Sequence, residues 1–239
     1  MEIKLIDVMG DDLRVVNAAR VSFDKESNWN EVPYRNGYDQ TDIGYSQELS
    51  EKDQKLINYL ASHNHFTPFT HVQITMREKV PIFVARQRFK HMVGFTYNEV
   101  SRRYVDDTPE FFTPDKWRAR AANKKQGSSD EEINSSWLNT EYPHHSDNFF
   151  EYEDVIEICS LLYQKMISEG VAPEQARMVL PQSLYTTYFV TGSLAAWARA
   201  YKLRSDEHSQ REIQDLANMW NTEISRLENL KYSWSALTK

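Results

Sequence analysis

RQRFKHMVGFTYNEVSRRY, residues 86–104, gathers cations, amides, hydroxyls and aromatics into one short piece of an otherwise acidic chain. Just upstream, Pro81 fits the first turn of a helix, where its missing N–H costs nothing. Residues 82–91 then place Ile82, Ala85 and Phe89 on one helical stripe and Arg86 with Lys90 on another, one turn apart. Gly94 breaks this helix. Residues 95–104 alternate, with Thr96, Asn98, Val100 and Arg102 on one face and Tyr97, Glu99, Ser101 and Arg103 on the other, which predicts an extended segment. The stretch carries Arg86, Arg88, Lys90, Arg102 and Arg103 against the single acid Glu99, while the chain as a whole has 28 basic and 35 acidic residues, net −7. Positive charge confined to one place suits a small anion such as a phosphorylated metabolite better than a long polyanion.

Working outward, residues 72–77 alternate apolar Val72, Ile74 and Met76 with Gln73, Thr75 and Arg77, a half-buried strand pattern, and residues 1–8 read as a first strand. Asp11 or Asp12 caps a helix through Leu13, Val15, Val16, Ala18 and Ala19, and Ser50 with Asp53 forms a capping box for a helix ending at His63. Residues 22–45 are polar and turn-rich and predict a long ordered loop. Residues 106–148 form a polar insert, with a helix expected near 116–123 and mobile loop after it. A helix over 152–169 follows, stopped by Gly170, then a short one over 174–180 between Pro173 and Pro181. LYTTYFVT (184–191) predicts a strand, Gly192 or Ser193 begins a helix over 194–203, and a last helix runs over 206–227 with Ile213, Leu216, Ala217, Trp220 and Ile224 inward.

A chain of 239 residues, 40% hydrophobic and 13% aromatic, can bury a sizeable core, and one domain is the simpler reading. No apolar run approaches the ~20 residues of a membrane helix and no signal-peptide core stands at the N-terminus, so a soluble, cytoplasmic chain is expected. The single cysteine, Cys159, excludes an intrachain disulfide and a cysteine-rich zinc site. It shares helical spacing with Val155, Ile156, Leu162, Tyr163 and Met166 and reads as core rather than as a nucleophile. His63, His65 and His71 lack an acid or Cys at ligand spacing, so no metal is expected. No GxxxxGK[ST] or GxGxxG loop is present, so any nucleotide or flavin must be held by side chains. Arg88 taken alone is as readily a solvated face residue as a site residue. A second basic set comprises Arg177, Arg199 and Arg204, with His208 one turn after Arg204. Arg177 and Arg204 lie in apolar surroundings, where a cation usually has a partner or a ligand.

The motifs TPFTH (67–71), PIFVARQ (81–87), NEVSRRY (98–104), ARMVLP (176–181) and LRSDEHSQREIQ (203–214), with NAARVSF (17–23), resemble the successive motifs of the flavin-dependent thymidylate synthases. The resemblance covers nearly the whole chain. It implies an α/β (α+β-like) single domain over 1–239, with a central mostly antiparallel sheet flanked by helices, of the thymidylate-synthase-complementing type. It also implies a homotetramer with active sites at subunit interfaces, FAD, dUMP as acceptor, methylenetetrahydrofolate as carbon donor and NADPH as reductant. Carried over residue by residue, Arg86, Gln87, Ser101, Arg102, Arg103, Arg177 and Arg204 would bind dUMP, with Arg204 catalytic and Arg103 at the phosphate. Arg177 and Arg204 would polarise the uracil ring. His65, Thr67, Lys90, His91, Glu99, Arg199 and His208 would position the flavin. No cysteine nucleophile is implied.

The chain departs from the family signature of Arg-His-Arg, seven residues, then Ser. It has Lys90, His91 and Met92, then eight residues before Ser101, so one cation is lost and the turn at Gly94 is longer. Some members carry an arginine near the flavin where this chain has Ala195, a place Arg199 would fill. Two rival readings stand: a nucleic-acid-binding module using Phe95, Tyr97 and Tyr104 as stacking aromatics, and a flavin reductase that binds no dUMP.

Overall fold

The computed structural model describes residues 1–35, 43–122, 127–133, 140–142 and 145–239. Strand β4 (Gln73–Pro81) is its centre, with β1 (Glu2–Met9) on one side and β10 (Tyr185–Ser193) on the other, and β5 (Phe95–Glu99) beyond β10. Every pairing in this four-stranded sheet is antiparallel. Alternation sends Ile74, Met76, Glu78 and Val80 of β4 to one face, opposite Gly192, Val190, Tyr188 and Thr186 of β10.

Helices α1 (Asp12–Arg20), α2 (Glu51–Ser62), α3 (Ile82–Arg88), α6 (Leu194–Arg204), α7 (Arg211–Ser225) and α8 (Lys231–Thr238) supply the rest of the core, with Trp197, Leu216, Trp220, Ile224 and Trp234 among its buried residues. Each fully buried aliphatic of this set contributes about 1.5–3 kcal/mol relative to exposure. On the other sheet face Arg77 and Phe189 stand exposed. Gly192 is required where it stands, because a Cβ there would lie 2.2 Å from the Phe95 ring. Gly94 reverses the chain at a φ of +80°, which L side chains rarely adopt.

The caps resolve two alternatives left by the sequence. Asp11 caps α1 by accepting the Arg14 N–H at 2.7 Å, and Ser193 caps α6 by accepting the Ala196 N–H at 3.2 Å. Asp12 turns the other way: its buried carboxylate accepts the N–H groups of Tyr232 and Ser233, each at 2.9 Å, and so caps α8, a helix the sequence reading did not foresee. Ser50 and Asp53 form the expected capping pair, and Asp53 also ion-pairs with Arg20 at 2.5 Å.

Several expectations are corrected. The loop expected over 22–45 contains β2 (Asn30–Arg35), paired with β3 (Ile43–Glu48); Pro33 is tolerated because this is a two-stranded ribbon of edges only. The helix expected near 116–123 is instead β6 (Trp117–Arg120), paired with β7 (Ser128–Ile133) where loop was expected. Trp117 lies edge-on to Tyr152 at 5.2 Å, a half-buried aromatic setting that favours a strand. The insert continues with β8 (Thr140–Tyr142) and β9 (His145–Phe150). Helix α3 stops at Arg88 rather than 91, and β5 stops at Glu99, after which Tyr104 N–H bonds the Ser101 carbonyl in a turn. Helix α7 starts at Arg211, not at 206, because the Asp206 carboxylate accepts the His208 N–H at 2.8 Å and Ser209 N–H bonds the Asp206 carbonyl, closing a turn first.

Helix α4 (Tyr152–Ser168) buries only Tyr163, and Val155, Ile158, Leu161 and Leu162 are exposed. Cys159 is accordingly half-buried rather than a core residue. Helix α5 (Pro173–Ala176) is a single turn that passes into a 3-10 turn at Arg177–Val179. Among the described residues no helix is long and apolar enough to cross a membrane.

Candidate functional site

Two groups of polar residues stand at opposite ends of α3. At its first residue, Ile82, lies a cleft of about 780 Å³ walled by the exposed sheet face and by the chain leaving β5. Glu99, Ser101, Arg102, Arg103 and Arg177 line it, as do Arg77 and Lys79. Its acids are engaged: Glu99 accepts from Thr186 Oγ1 at 2.7 Å, Glu110 pairs with Lys79 at 2.7 Å, and Asp107 pairs with Arg102 at 2.7 Å. The Lys79 pKa is raised, chiefly by the bond to Glu110. Arg77, Arg103 and Arg177 have no carboxylate partner among the described residues. Arg103 Nε donates to Ser101 Oγ at 3.1 Å and Arg177 Nε to the Glu174 carbonyl at 3.3 Å. Both guanidiniums are exposed, as is Arg77.

At the far end of α3 the second group is closed in on itself. Arg204 Nε donates to His91 Nε2 at 2.8 Å and Nη2 to the Gln87 carbonyl at 3.2 Å. Gln87 Nε2 donates to Gln210 Oε1 at 2.6 Å. Burial, then the cations Arg204, Arg88 and Arg199, lower the His91 pKa to about 4, so the ring is neutral near pH 7 and its Nε2 lone pair can take the Arg204 proton donor. Burial and then Arg88 also lower the Arg204 pKa, without bringing it near neutrality. Arg199 Nη2 donates to the Val93 carbonyl and ties α6 to the turn before Gly94.

Between the groups, Arg88 is fully buried, so the solvated reading of it is wrong. Its guanidinium lies 4.3–5.2 Å from the ring centres of Phe95, Trp220, Trp197 and Tyr97. Its Nη1 donates to Tyr97 Oη at 2.7 Å, and Tyr97 Oη donates to the His91 carbonyl at 2.7 Å. Burial is the main reason the Tyr97 pKa rises to about 12. Arg88 Nε ion-pairs with Glu78 Oε2 at 3.4 Å, and that oxygen accepts a hydrogen bond from Tyr188 Oη at 2.5 Å. Alternation in β4 put Glu78 on the core face, and Arg88 is the cation that matches it. Phe95 and Tyr97 are thereby committed to packing, which removes two of the three stacking aromatics of a nucleic-acid-binding reading.

The structure therefore brings Ser101, Arg102, Arg103, Arg177 and Glu99 together, and separately Gln87, His91 and Arg204. Arg86, Lys90, His65, Thr67 and His208 are exposed, and none of their side chains has a described hydrogen bond to either group. His65 lies edge-on to Tyr59 at 5.8 Å, Thr67 opens a 3-10 turn (Thr67–His71), and His208 Nδ1 is 2.9 Å from Asp206. Arg77 and Lys79 were missed as cleft residues. Their signal was the alternation of β4, which opposes both to the apolar Ile74, Met76 and Val80.

A family model described as thymidylate synthase complementing protein matches residues 4–227. The flavin-dependent thymidylate synthase of Thermosipho africanus is 36% identical over 218 residues, covering 90% of this chain and 82% of that one. The enzyme of the same name from Thermotoga neapolitana is 34% identical over 233 residues, covering 98% of this chain and 88% of the relative. A crystal structure of the UMP/dUMP methylase PolB from Streptomyces cacaoi, bound with 5-Br dUMP, superposes with a TM-score of 0.69 at 26% identity, covering 99% of this chain and 94% of that one. The motif order, the antiparallel sheet and these matches agree: the chain belongs to the thymidylate synthase complementing protein family, the flavin-dependent thymidylate synthases, and is a methyltransferase enzyme.

Proposed function

We propose that the chain methylates dUMP to dTMP with methylenetetrahydrofolate as carbon donor and FAD reduced by NADPH, as a cytoplasmic homotetramer. The observation that carries this reading is the cleft, where Arg77, Arg103 and Arg177 stand without carboxylate partners among the described residues, in a chain of net charge −7. Guanidiniums left unpaired around an open cleft suit a phosphate monoester. Arg103 with Ser101 takes the phosphate, Arg177 binds in the same cleft, and Arg102, held by Asp107, shapes its wall. Arg86 and Gln87 contact the nucleotide from α3.

Arg204 acts on the ring. Anchored by His91 and the Gln87 carbonyl, its guanidinium stabilises the negative charge that gathers on the ring oxygens as C5 becomes nucleophilic. The neutral state of His91 matters here, because an imidazolium has no lone pair to hold Arg204. Cys159 lies half-buried on α4, outside both groups, and takes no part. The flavin supplies the hydride when bound. The donor set fits such a group: the exposed cations Lys90 and Arg199 suit its diphosphate, and Met92 and Val93, 74% and 73% exposed and close to Lys90 in sequence, offer apolar surface for a ring. His65, Thr67, His91, Glu99 and His208 complete the flavin set.

Arg177 and Arg204 sit in separate groups of one chain, so a site needing both draws them from two subunits. The exposed apolar residues of α4 supply surface for such contacts. Purified protein supplied with dUMP, methylenetetrahydrofolate and NADPH should show flavin absorbance and form dTMP. A flavin spectrum and NADPH oxidation that ignore dUMP, with no dTMP made, would replace this reading with a flavin reductase.

A further inference from the structure

A line of side-chain bonds connects the polar insert to Gln87. Arg118 on β6 donates through Nε to Ser128 Oγ on β7 at 2.8 Å, and through Nη2 to Glu212 Oε1 in the first turn of α7. Glu212 Oε2 accepts from Gln210 Nε2 at 2.8 Å, and Gln210 Oε1 accepts from Gln87 Nε2 at 2.6 Å. The β6–β7 hairpin also rests on the segment between Arg204 and Gln210: a Cβ on Gly127 would lie 3.6–3.9 Å from the carbonyl oxygens of His208, Ser209 and Glu207.

Every link has a fixed direction. A carboxylate only accepts, so Gln210 must turn its NH₂ toward Glu212 and its oxygen toward Gln87. That oxygen takes only an N–H, so Gln87 must turn its NH₂ toward Gln210, and its own Oε1 is left facing outward. Among the described residues Gln87 Oε1 makes no hydrogen bond. Glu212 is buried, which raises its pKa, but the bonds from Arg118, its own N–H and Gln210 outweigh burial and leave the pKa lowered, so the carboxylate stays ionised.

We propose that Arg118 and Glu212 are positioning residues which lock the Gln87 amide with its oxygen toward the nucleotide. The site then accepts a pyrimidine whose ring edge presents an N–H, as uracil does at N3, and rejects one that presents a bare ring nitrogen, as cytosine does. This rests on the reading of Gln87 as a nucleotide contact. Two acceptors facing each other leave both unpaired, which is worth about a tenfold to hundredfold preference.

The test titrates the full-length protein with dUMP and with dCMP by calorimetry, in wild type, Gln87→Ala, Glu212→Gln, Arg118→Met and Arg118→Lys. Wild type should prefer dUMP by at least about tenfold. Glu212→Gln supplies an amide that can donate, so Gln210 and Gln87 are free to turn over and the preference should collapse to within about threefold. Arg118→Met removes the bond that does most to keep the buried Glu212 ionised, so Glu212 can take up a proton and donate, and the preference should collapse likewise; Arg118→Lys, which keeps the ion pair, should restore it. A hairpin with a merely structural role would weaken both ligands alike and leave their ratio unchanged, and that result overturns the proposal. If Gln87→Ala binds dUMP as tightly as wild type, the reading of Gln87 itself fails. If Gln87→Ala weakens dUMP while Glu212→Gln and Arg118→Met keep the preference, only the relay fails.

Discussion

The cleft at the start of α3 and the Gln87–His91–Arg204 group at its end both use arginine, in opposite states. In the cleft, Arg77, Arg103 and Arg177 are exposed and bonded to little beyond their own neighbours. Arg204 is half-buried and held by two bonds, and Gln87 is wired through Gln210 to Glu212. Under the proposed function the difference follows from what each set would meet. A phosphate carries full charge and is attracted even through water, so its partners can stay solvated. A pyrimidine ring is neutral until charge develops on it, so the guanidinium that responds must already be desolvated and aimed. Arg88, behind both, shows the limit of that trend, a cation wholly withdrawn from solvent to match Glu78.

Breaking the buried end should cost most. Glu78→Ala leaves Arg88 buried without a counter-charge, and urea denaturation should report a loss of about 3–5 kcal/mol. A loss under about 1 kcal/mol would mean that the four aromatic rings hold the cation unaided. Next, Arg204→Ala should lower dTMP formation by about 10²–10³-fold with the assembly unchanged by size-exclusion chromatography; near-normal turnover would remove Arg204 from the ring's partners. Arg103→Ala, at the open end, should weaken dUMP binding by about tenfold to hundredfold while the melting temperature stays put, since an exposed side chain contributes little to stability. A large drop in melting temperature would erase the contrast between the two ends.

The smallest effect concerns pH. His91 has a folded-state pKa of about 4 against its ordinary 6.5, so the unfolded chain takes up the proton first. Its contribution is complete above about pH 6.5 and is lost as pH falls toward 4. Denaturation midpoints measured across that window should fall in the wild type and fall less in His91→Asn. Parallel curves would show that the imidazole is not held neutral.

The division of residues 82–104 at Gly94 was already legible in the sequence. The break at Gly94, the stripe of Ile82, Ala85 and Phe89, and the extended run to Glu99 follow from local periodicity and from a glycine at positive φ, and the structure keeps them with shorter ends. The insert was misread because residues 116–123 carry no clear period, and only Trp117 against Tyr152 and the pairing with β7 make them a strand. Arg77 and Lys79 were overlooked, although their alternation with Ile74 and Met76 already placed them on the face away from the core.

The sequence by itself determined the order of helices and strands around β4, the cap at Ser50, and the motifs that mark the family. These depend on neighbours within a few residues, and the chain's own geometry brings those together. Only the tertiary structure decided that Arg88 goes inward to Glu78, that Asp12 caps α8 across the chain, and that Arg118 reaches Gln87 through Glu212 and Gln210. Periodicity tells which residues share a face, but a charge is buried or solvated according to the partner waiting there, and that partner comes from a distant part of the chain.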